Sequence, residues 1–212
     1  QHSLMVANLA EEAIYRIGGN PLLTRTGALY HDIGKTYEPF FFIENQAGGM
    51  NPHSNCEFDE SAQHIINHVT KGVEMAKKYN LPECIINFIR THHGKSKVKY
   101  FYNSFKNKYP DKEIDESLFT YAGPDPVTRE CAVVMMADAV EAVSRTLTEK
   151  TEENIAQAVN NIINGQVQDG RFVNADITFK DIATVKQVFI EMLTNIYHSR
   201  IAYPKLEKKE DK

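Results

Sequence analysis

Apolar residues recur three and four positions apart along most of the chain, and that spacing restricts it to folds made of packed helices. Leu4, Val6, Leu9, Ala13 and Ile17 are spaced for one helix face, and Gly18-Gly19 closes that element. Asn20-Pro21 supplies an N-cap followed by proline at the first helical position, predicting a helix from Leu22 to about Lys35. Residues 36–58 are rich in Pro, Gly, Asn and aromatics and read as a long irregular loop, a length usually reserved for function or disorder. A third helix is expected over about 59–79. Pro82 opens a fourth that carries Ile85, Ile86, Phe88 and Ile89. Further helices are expected near 95–109, 127–148, 151–165 and 179–199, with a polar connector at 110–125 and a charged, frayed tail. No repeat and no strand-rich stretch interrupts the pattern. The expected fold is all-α, with one domain over residues 1–205 and a tail at 206–212.

A chain of 212 residues buries a substantial core without disulfides, and Cys56, Cys84 and Cys131 are odd in number and lack CxxC spacing, as in a reducing compartment. A net charge of −4 argues against a general binder of DNA or RNA duplexes. The strongest apolar run, Cys131 to Ala137, stops at Asp138, far short of the roughly 20 residues of a membrane span. The opening Gln1-His2-Ser3-Leu4 already lies inside a helical pattern, with neither an initiator Met nor a signal peptide, and reads as a piece of a longer protein.

The histidines carry the chemistry. His31-Asp32 falls at the end of the second expected helix, His64 and His68 one turn apart on the third, and His92-His93 at the end of the fourth. Asp138 interrupts the apolar stripe of Val133, Val134, Met135, Met136, Ala137 and Val140, where a carboxylate is costly unless it is paired or bound to metal. Adjacent helical residues diverge by about 100°, so doublets such as His31-Asp32 and His92-His93 serve best when two ions lie side by side. Imidazole and carboxylate donors without thiolate favour Fe, Mn, Co or Zn over Ca or Mg. A closed structural zinc site needs only about four ligands and usually recruits Cys, so the surplus of ligands points to a catalytic pair of ions.

These residues resemble the HD-domain phosphohydrolase superfamily, and within it the intracellular HD domain of the seven-transmembrane HD receptors, a family of cyclic di-AMP phosphodiesterases. The resemblance rests on His2, His68 and five stretches: Ala28-Leu-Tyr-His-Asp-Ile-Gly-Lys35, Phe42-Ile-Glu-Asn-Gln46, Asn51-Pro-His53, Phe88-Ile-Arg-Thr-His-His-Gly94 and Ala137-Asp-Ala-Val-Glu-Ala142. It implies an HD helical bundle with long irregular loops around a metal site. His2, His31, Asp32, His68, His92, His93 and Asp138 would hold two transition ions, Fe or Mn first and Zn or Co as alternatives, with Asp32 bridging them. A water activated between the ions would attack phosphorus in line with the departing 3′ oxygen, converting cyclic di-AMP to linear pApA. It further implies an intact protein whose membrane spans precede this domain on the cytoplasmic face.

Lys35, one turn beyond Asp32, is a candidate phosphate contact and joins Asp32 as a catalytic candidate. Arg90, Lys95 and Tyr100 join Lys35 as substrate-binding candidates. They belong to a segment, Arg90 to Lys108, with six Lys or Arg and no acidic residue, interleaved with Tyr100, Phe101, Tyr102 and Phe105. Such a strip suits a phosphate-bearing ligand with stacking bases; a helix with aromatics inward and lysines outward explains it equally simply. His64, His53 and His198 read as a helix-face neighbour of His68, a loop residue and a surface residue. Gly34-Lys35-Thr36 is no P-loop, since Leu29 stands where that motif needs Gly and no strand precedes it. Gly94-Lys95-Ser96-Lys97 replaces the Gly-Tyr-Pro signature of HD-GYP phosphodiesterases, which disfavours cyclic di-GMP. A non-catalytic nucleotide sensor is the rival from another class; every ligand position being filled favours catalysis.

Overall fold

In the computed structural model, which describes residues 1–46 and 51–197, the helices are α1 (His2–Arg16), α2 (Pro21–Tyr30), α3 (Phe58–Lys78), α4 (Glu83–Thr91), α5 (Lys99–Lys108), α6 (Arg129–Thr146), α7 (Glu152–Gln168) and α8 (Phe179–Tyr197). Among the described residues there is no β-sheet, only one antiparallel bridge between Lys97 and Thr120. His198 and the tail at 206–212 lie outside the described residues. Local signals place the helix starts. The Asn20 side chain accepts from Leu23 N above Pro21, Glu57 and Glu60 form a capping box on α3, and Thr128 and Thr151 cap α6 and α7.

The apolar run that the sequence placed in α6 makes it the central helix. Cys131 through Asp138, Val140, Glu141 and Ser144 are all buried, with α1, α2, α4, α7 and α8 packed around them. In α1 the buried face is Val6, Ala7, Leu9, Ala10, Ala13 and Ile14, and the small alanines let the helix approach closely. Leu4, expected on that face, is 53% exposed. Phe88 of α4 and Phe189 and Leu193 of α8 complete the core, each large side chain contributing on the order of 1.5–3 kcal/mol by leaving water.

Two departures from the sequence reading shape the site. The second helix stops at Tyr30 rather than continuing to Lys35. His31 and Asp32 form a turn and Ile33–Thr36 a 3-10 segment. The cause is packing: Gly34 lies so close to α3 that an added Cβ would stand 1.8 Å from the His68 carbonyl oxygen and 2.6 Å from Gly72 N. The connector at 110–125 is not merely polar. Phe119 and Tyr121 are buried, with Phe119 joining Ala62 and Phe101 in a second small core, and Val98 N and Tyr121 N bond Phe119 O and Ser96 O at 2.8 and 2.9 Å. The loop after Thr36 is partly ordered by short 3-10 turns at Pro39–Phe41, Ile43–Asn45 and Pro52–Asn55.

Replacing Gly34 by Ala therefore drives a methyl group into the α3 backbone. We expect a loss of stability of about 1–3 kcal/mol or more in urea unfolding. Gly165→Ala, where the added Cβ meets nothing within 4 Å, should leave stability unchanged or raise it by about 0.5–1 kcal/mol. Equal effects of the two substitutions would contradict the packing account.

Candidate metal centre

His31 caps the C-terminus of α2 with Asp32 beside it, His68 sits mid-way along α3, His92 and His93 follow α4, His2 opens α1, and Asp138 projects from α6. The fold brings all seven together. Three groups have ligand atoms within 4.8 Å of one another: His68, His92 and His93; His2, His31 and Asp138; and His31, Asp32 and His92. Asp32 faces both sides of the cluster. Its Oδ1 is 3.4 Å from His68 Nε2 and 3.6 Å from His92 Nε2, while its Oδ2 is 3.4 Å from His2 Nε2 and 3.3 Å from His31 Nε2. Asp138 Oδ1 lies 3.1 Å from His2 Nε2 and 3.6 Å from His31 Nε2, and its Oδ2 lies 3.7 Å from His93 Nδ1.

These separations suit ligands arranged around ions rather than paired with each other. Bonds of about 2.0–2.2 Å at tetrahedral or octahedral angles hold neighbouring donors roughly 3–3.5 Å apart. His2 Nε2, His31 Nε2 and Asp32 Oδ1 are buried without a hydrogen-bond partner, which is costly unless something else satisfies them. Five imidazoles, two carboxylates and no thiolate form the donor set expected of a dinuclear transition-metal site.

Backbone carbonyls orient much of the cluster. His31 Nδ1 lies 2.6 Å from Ala28 O, His68 Nδ1 2.5 Å from Ile65 O, and His92 Nδ1 2.8 Å from Ile89 O, each turning Nε2 to the centre, where those of His68 and His92 lie 3.0 Å apart. His93 stacks on Tyr121, with centroids 4.3 Å apart. Burial opposes charge on His2, yet the neighbouring carboxylates of Asp138, Asp32 and Glu141 raise its pKa to about 11. His31, likewise desolvated, is raised to about 10 by Asp32 and Asp138. Burial pushes His93 down to about 3, and burial with three neighbouring imidazoles holds His92 well below the usual range. Burial would raise Asp32 and Asp138, but the imidazoles around them hold both well below the ordinary carboxylate range. The carboxylates thus demand positive charge, and the His92-His93 side already holds neutral imidazole, the form that binds metal.

Lys35 Nζ lies 2.7 Å from Asp32 Oδ2 and 2.7 Å from Glu44 Oε1. Two cavities meet at His93, Asp138 and Ala142. One, of about 590 Å³, is lined by Lys95, Lys97, Lys99, Asn161, Gln166 and Arg171 among others; the second, of about 500 Å³, by Lys35, Phe42, Ile43, Tyr121, Glu141 and Arg145 among others. Of the substrate-binding candidates, Lys35 and Lys95 reach a cavity. Arg90 does not: its guanidinium is held by Glu83 at 2.8 Å and Asn87 at 2.6 Å, because its position on α4 turns it away from the doublet. Tyr100 is 75% exposed, its ring edge against Phe101, and lines neither cavity. The basic strip divides, with Lys95, Lys97 and Lys99 on the cavity, Lys108 over Phe58 and Tyr109, and Phe101 and Phe105 packed inward.

His64 stacks on Phe41 and meets Glu38 at 2.9 Å, outside the centre, and His53 Nε2 lies 2.9 Å from Phe41 O and ties down the loop. The sequence reading assigned no role to Glu141, Tyr121, Glu44 or the α7 residues lining the larger cavity. Glu141 carried a signal, as a second carboxylate one turn after Asp138 in an apolar helix, and Glu44 stands in a stretch that carries the resemblance.

Comparison with known proteins agrees with this geometry. The HD domain model matches residues 1–143. The chain is 42% identical over 203 residues to "Cyclic-di-AMP phosphodiesterase PgpH" of Listeria monocytogenes, covering 96% of this chain and 28% of that protein. It is 42% identical over 208 residues to the PgpH of Bacillus subtilis, covering 98% of this chain and 29% of that protein. It therefore spans less than a third of the length of these curated relatives. The crystal structure of the L. monocytogenes PgpH HD domain in complex with cyclic-di-AMP superposes with a TM-score of 0.88 at 42% identity, covering 95% of this chain and 92% of that one. A family match that includes every one of the converging ligands, and a structural match over nearly the whole chain, establish that this chain belongs to the HD-domain family and is closely related to the PgpH HD domain.

Proposed function

We propose that this chain is a metal-dependent phosphodiesterase domain that hydrolyses cyclic di-AMP to linear pApA. One observation carries the reading: seven ligand side chains from separate parts of the fold converge on one buried point, and that point opens on two sides into cavities. Each cavity has the size of a small-molecule site, about 300–1,000 Å³. A cyclic dinucleotide with one phosphodiester at the centre has a nucleoside to either side of it. The larger cavity offers cations and amides, and the smaller is walled by the rings of Phe42 and Tyr121 beside Lys35 and Arg145. The solved relative at 42% identity, bound to cyclic-di-AMP, supports that substrate over other cyclic dinucleotides.

Two transition ions bound by the seven residues would supply an activated water and positive charge for the phosphate oxygens. Asp32, with one oxygen toward each half of the cluster, keeps the two halves in register. Burial disfavours charge on Lys35, but Asp32 and Glu44 outweigh it and raise its pKa above the usual lysine range. Lys35 thus serves as a fixed cation beside the centre rather than as a proton donor, placed to offset charge that develops on a phosphate oxygen.

No described helix is long and apolar enough to cross a membrane. The resemblance to receptor HD domains, together with the small share of its relatives that the chain spans, supports a place at the cytoplasmic face of a membrane within a longer protein. In that protein the HD unit extends at least through α8 to Tyr197, since α7 and α8 share the core of α1 and α6; the boundary expected at 205 lies outside the described residues.

Protein purified without oxygen and assayed against a panel of cyclic dinucleotides should contain two transition ions per chain and release pApA from cyclic di-AMP fastest. Tight binding of the intact ligand without turnover would establish a sensor instead. Asp32→Ala should lose both ions and all turnover; full activity in that variant overturns the assignment. Lys35→Met should keep both ions and lose about 10²–10³ in kcat, and an unchanged kcat removes Lys35 from the chemistry. Replacing Lys95, Lys97 and Lys99 together by Gln should raise KM, whereas an unchanged KM would show that cavity wall to be solvated surface only.

A further inference from the structure

Among the ligand imidazoles His2 is held differently. His31, His68 and His92 each turn Nδ1 to the carbonyl three residues earlier, so the helix carrying the ligand also fixes its tautomer. The Nδ1 of His2 instead meets a side chain from another helix, Glu141 Oε2 of α6, at 2.6 Å. Glu141 is itself buried, 5% exposed, in the apolar surroundings of α6. The other charged group at its carboxylate is Arg145, at 4.0 Å from Oε1 and half exposed. Ser144 hydroxyl bonds the Glu141 backbone carbonyl, not its side chain. A carboxylate so placed is destabilising unless its partner depends on it, and the partner at hydrogen-bond distance is His2.

We infer that Glu141 is the positioning residue of His2: it accepts a hydrogen bond from Nδ1–H, holds the ring so that Nε2 faces the ion position it would share with Asp138 and Asp32, and thereby completes one of the two ion positions. His2 Nε2 is 3.1 Å from Asp138 Oδ1 and 3.4 Å from Asp32 Oδ2, and it groups with His31 and Asp138. The His68, His92 and His93 group contains neither His2 nor Glu141. Glu141 stands one turn after Asp138, so a single face of α6 provides both a ligand and the group that aims the neighbouring ligand. An ionised acceptor also makes the imidazole a stronger donor to metal than a backbone carbonyl does. Loss of Glu141 therefore weakens one ion selectively.

The inference rests on the two-ion centre and not on the substrate, so its test reads metal alone. Manganese(II) is titrated calorimetrically into the parent chain, Glu141→Gln, Glu141→Ala, His2→Ala, and His2→Ala combined with Glu141→Gln, with circular dichroism confirming the fold. The Gln variant keeps the volume and removes the charge, which guards against a folding defect in the Ala variant. The parent should bind two ions. Both Glu141 variants should keep one at parental affinity and weaken the other by about 10–100-fold. In the His2→Ala background, adding Glu141→Gln should change nothing further. Parental affinity at both positions in the Glu141 variants overturns the inference. So does equal weakening of both, or a further loss in the His2→Ala background. Failure to cleave cyclic di-AMP would strike the functional reading and leave this result untouched.

Discussion

The Asp32 carboxylate, nearly buried and with each oxygen turned toward a different set of imidazoles, is the constraint around which the fold is arranged. Removing an ionised carboxylate from water costs several kcal/mol even after relaxation, and Asp138 and Glu141 repeat that cost a few ångströms away. Three such groups are tolerable in one place only where positive charge or hydrogen-bond donors surround them. The interruption of α2, the seating of Gly34 against the His68 carbonyl and the His92-His93 doublet after α4 all bring such partners to the carboxylates. His31 and His92 also cap the C-termini of α2 and α4, where helix dipoles add partial negative charge and favour a cation further.

Precision comes from α6. Its apolar residues fix it at the centre of the core, so Asp138 and Glu141 stand on the least movable element in the molecule rather than on a loop. The two cavities are built differently. The smaller is walled partly by the loop carrying Phe42, Ile43 and Glu44, tied to the centre through Lys35, while the larger has α7 as its far wall. Cluster residues on or at the ends of the core helices, and cavity walls on a loop and an outer helix, separate the two tasks that the proposed function requires.

The helices and the His and Asp residues that converge were legible because they obey local rules. Period 3.6, caps at Asn20 and Pro21, and histidine doublets at helix ends are written in adjacent residues. Where the reading departed from the structure, a contact between distant segments decided the outcome. The end of α2 depends on how Gly34 meets α3, and the burial of Phe119 depends on Val98 and Ala62. Arg90 fails for a local reason instead: a positive residue beside the His doublet reads as a phosphate contact, yet Glu83, two turns earlier on the same face of α4, takes it. Tyr121 and the α7 wall left no mark, because stacking on His93 and lining a cavity require no sequence pattern.

The unlike chemistry of the two cavities bears on the proposed reaction. A cyclic dinucleotide has two equivalent halves, but one cavity carries Lys95, Lys97, Lys99 and Arg171 with the amides of Asn161 and Gln166, and the other carries Phe42 and Tyr121 with Lys35, Arg145, Glu44 and Glu141. In the proposed reaction a symmetric ligand lying across them would be held in two different environments, with one phosphodiester at the His and Asp cluster and the second away from it. One bond is therefore exposed to attack in each binding event. Its rupture removes the ring closure that held both nucleosides at a fixed separation, so the linear product grips the two walls with more conformational freedom to lose. A weaker grip on the linear product would favour its release after a single cut, in keeping with the linear dinucleotide of the proposed reaction.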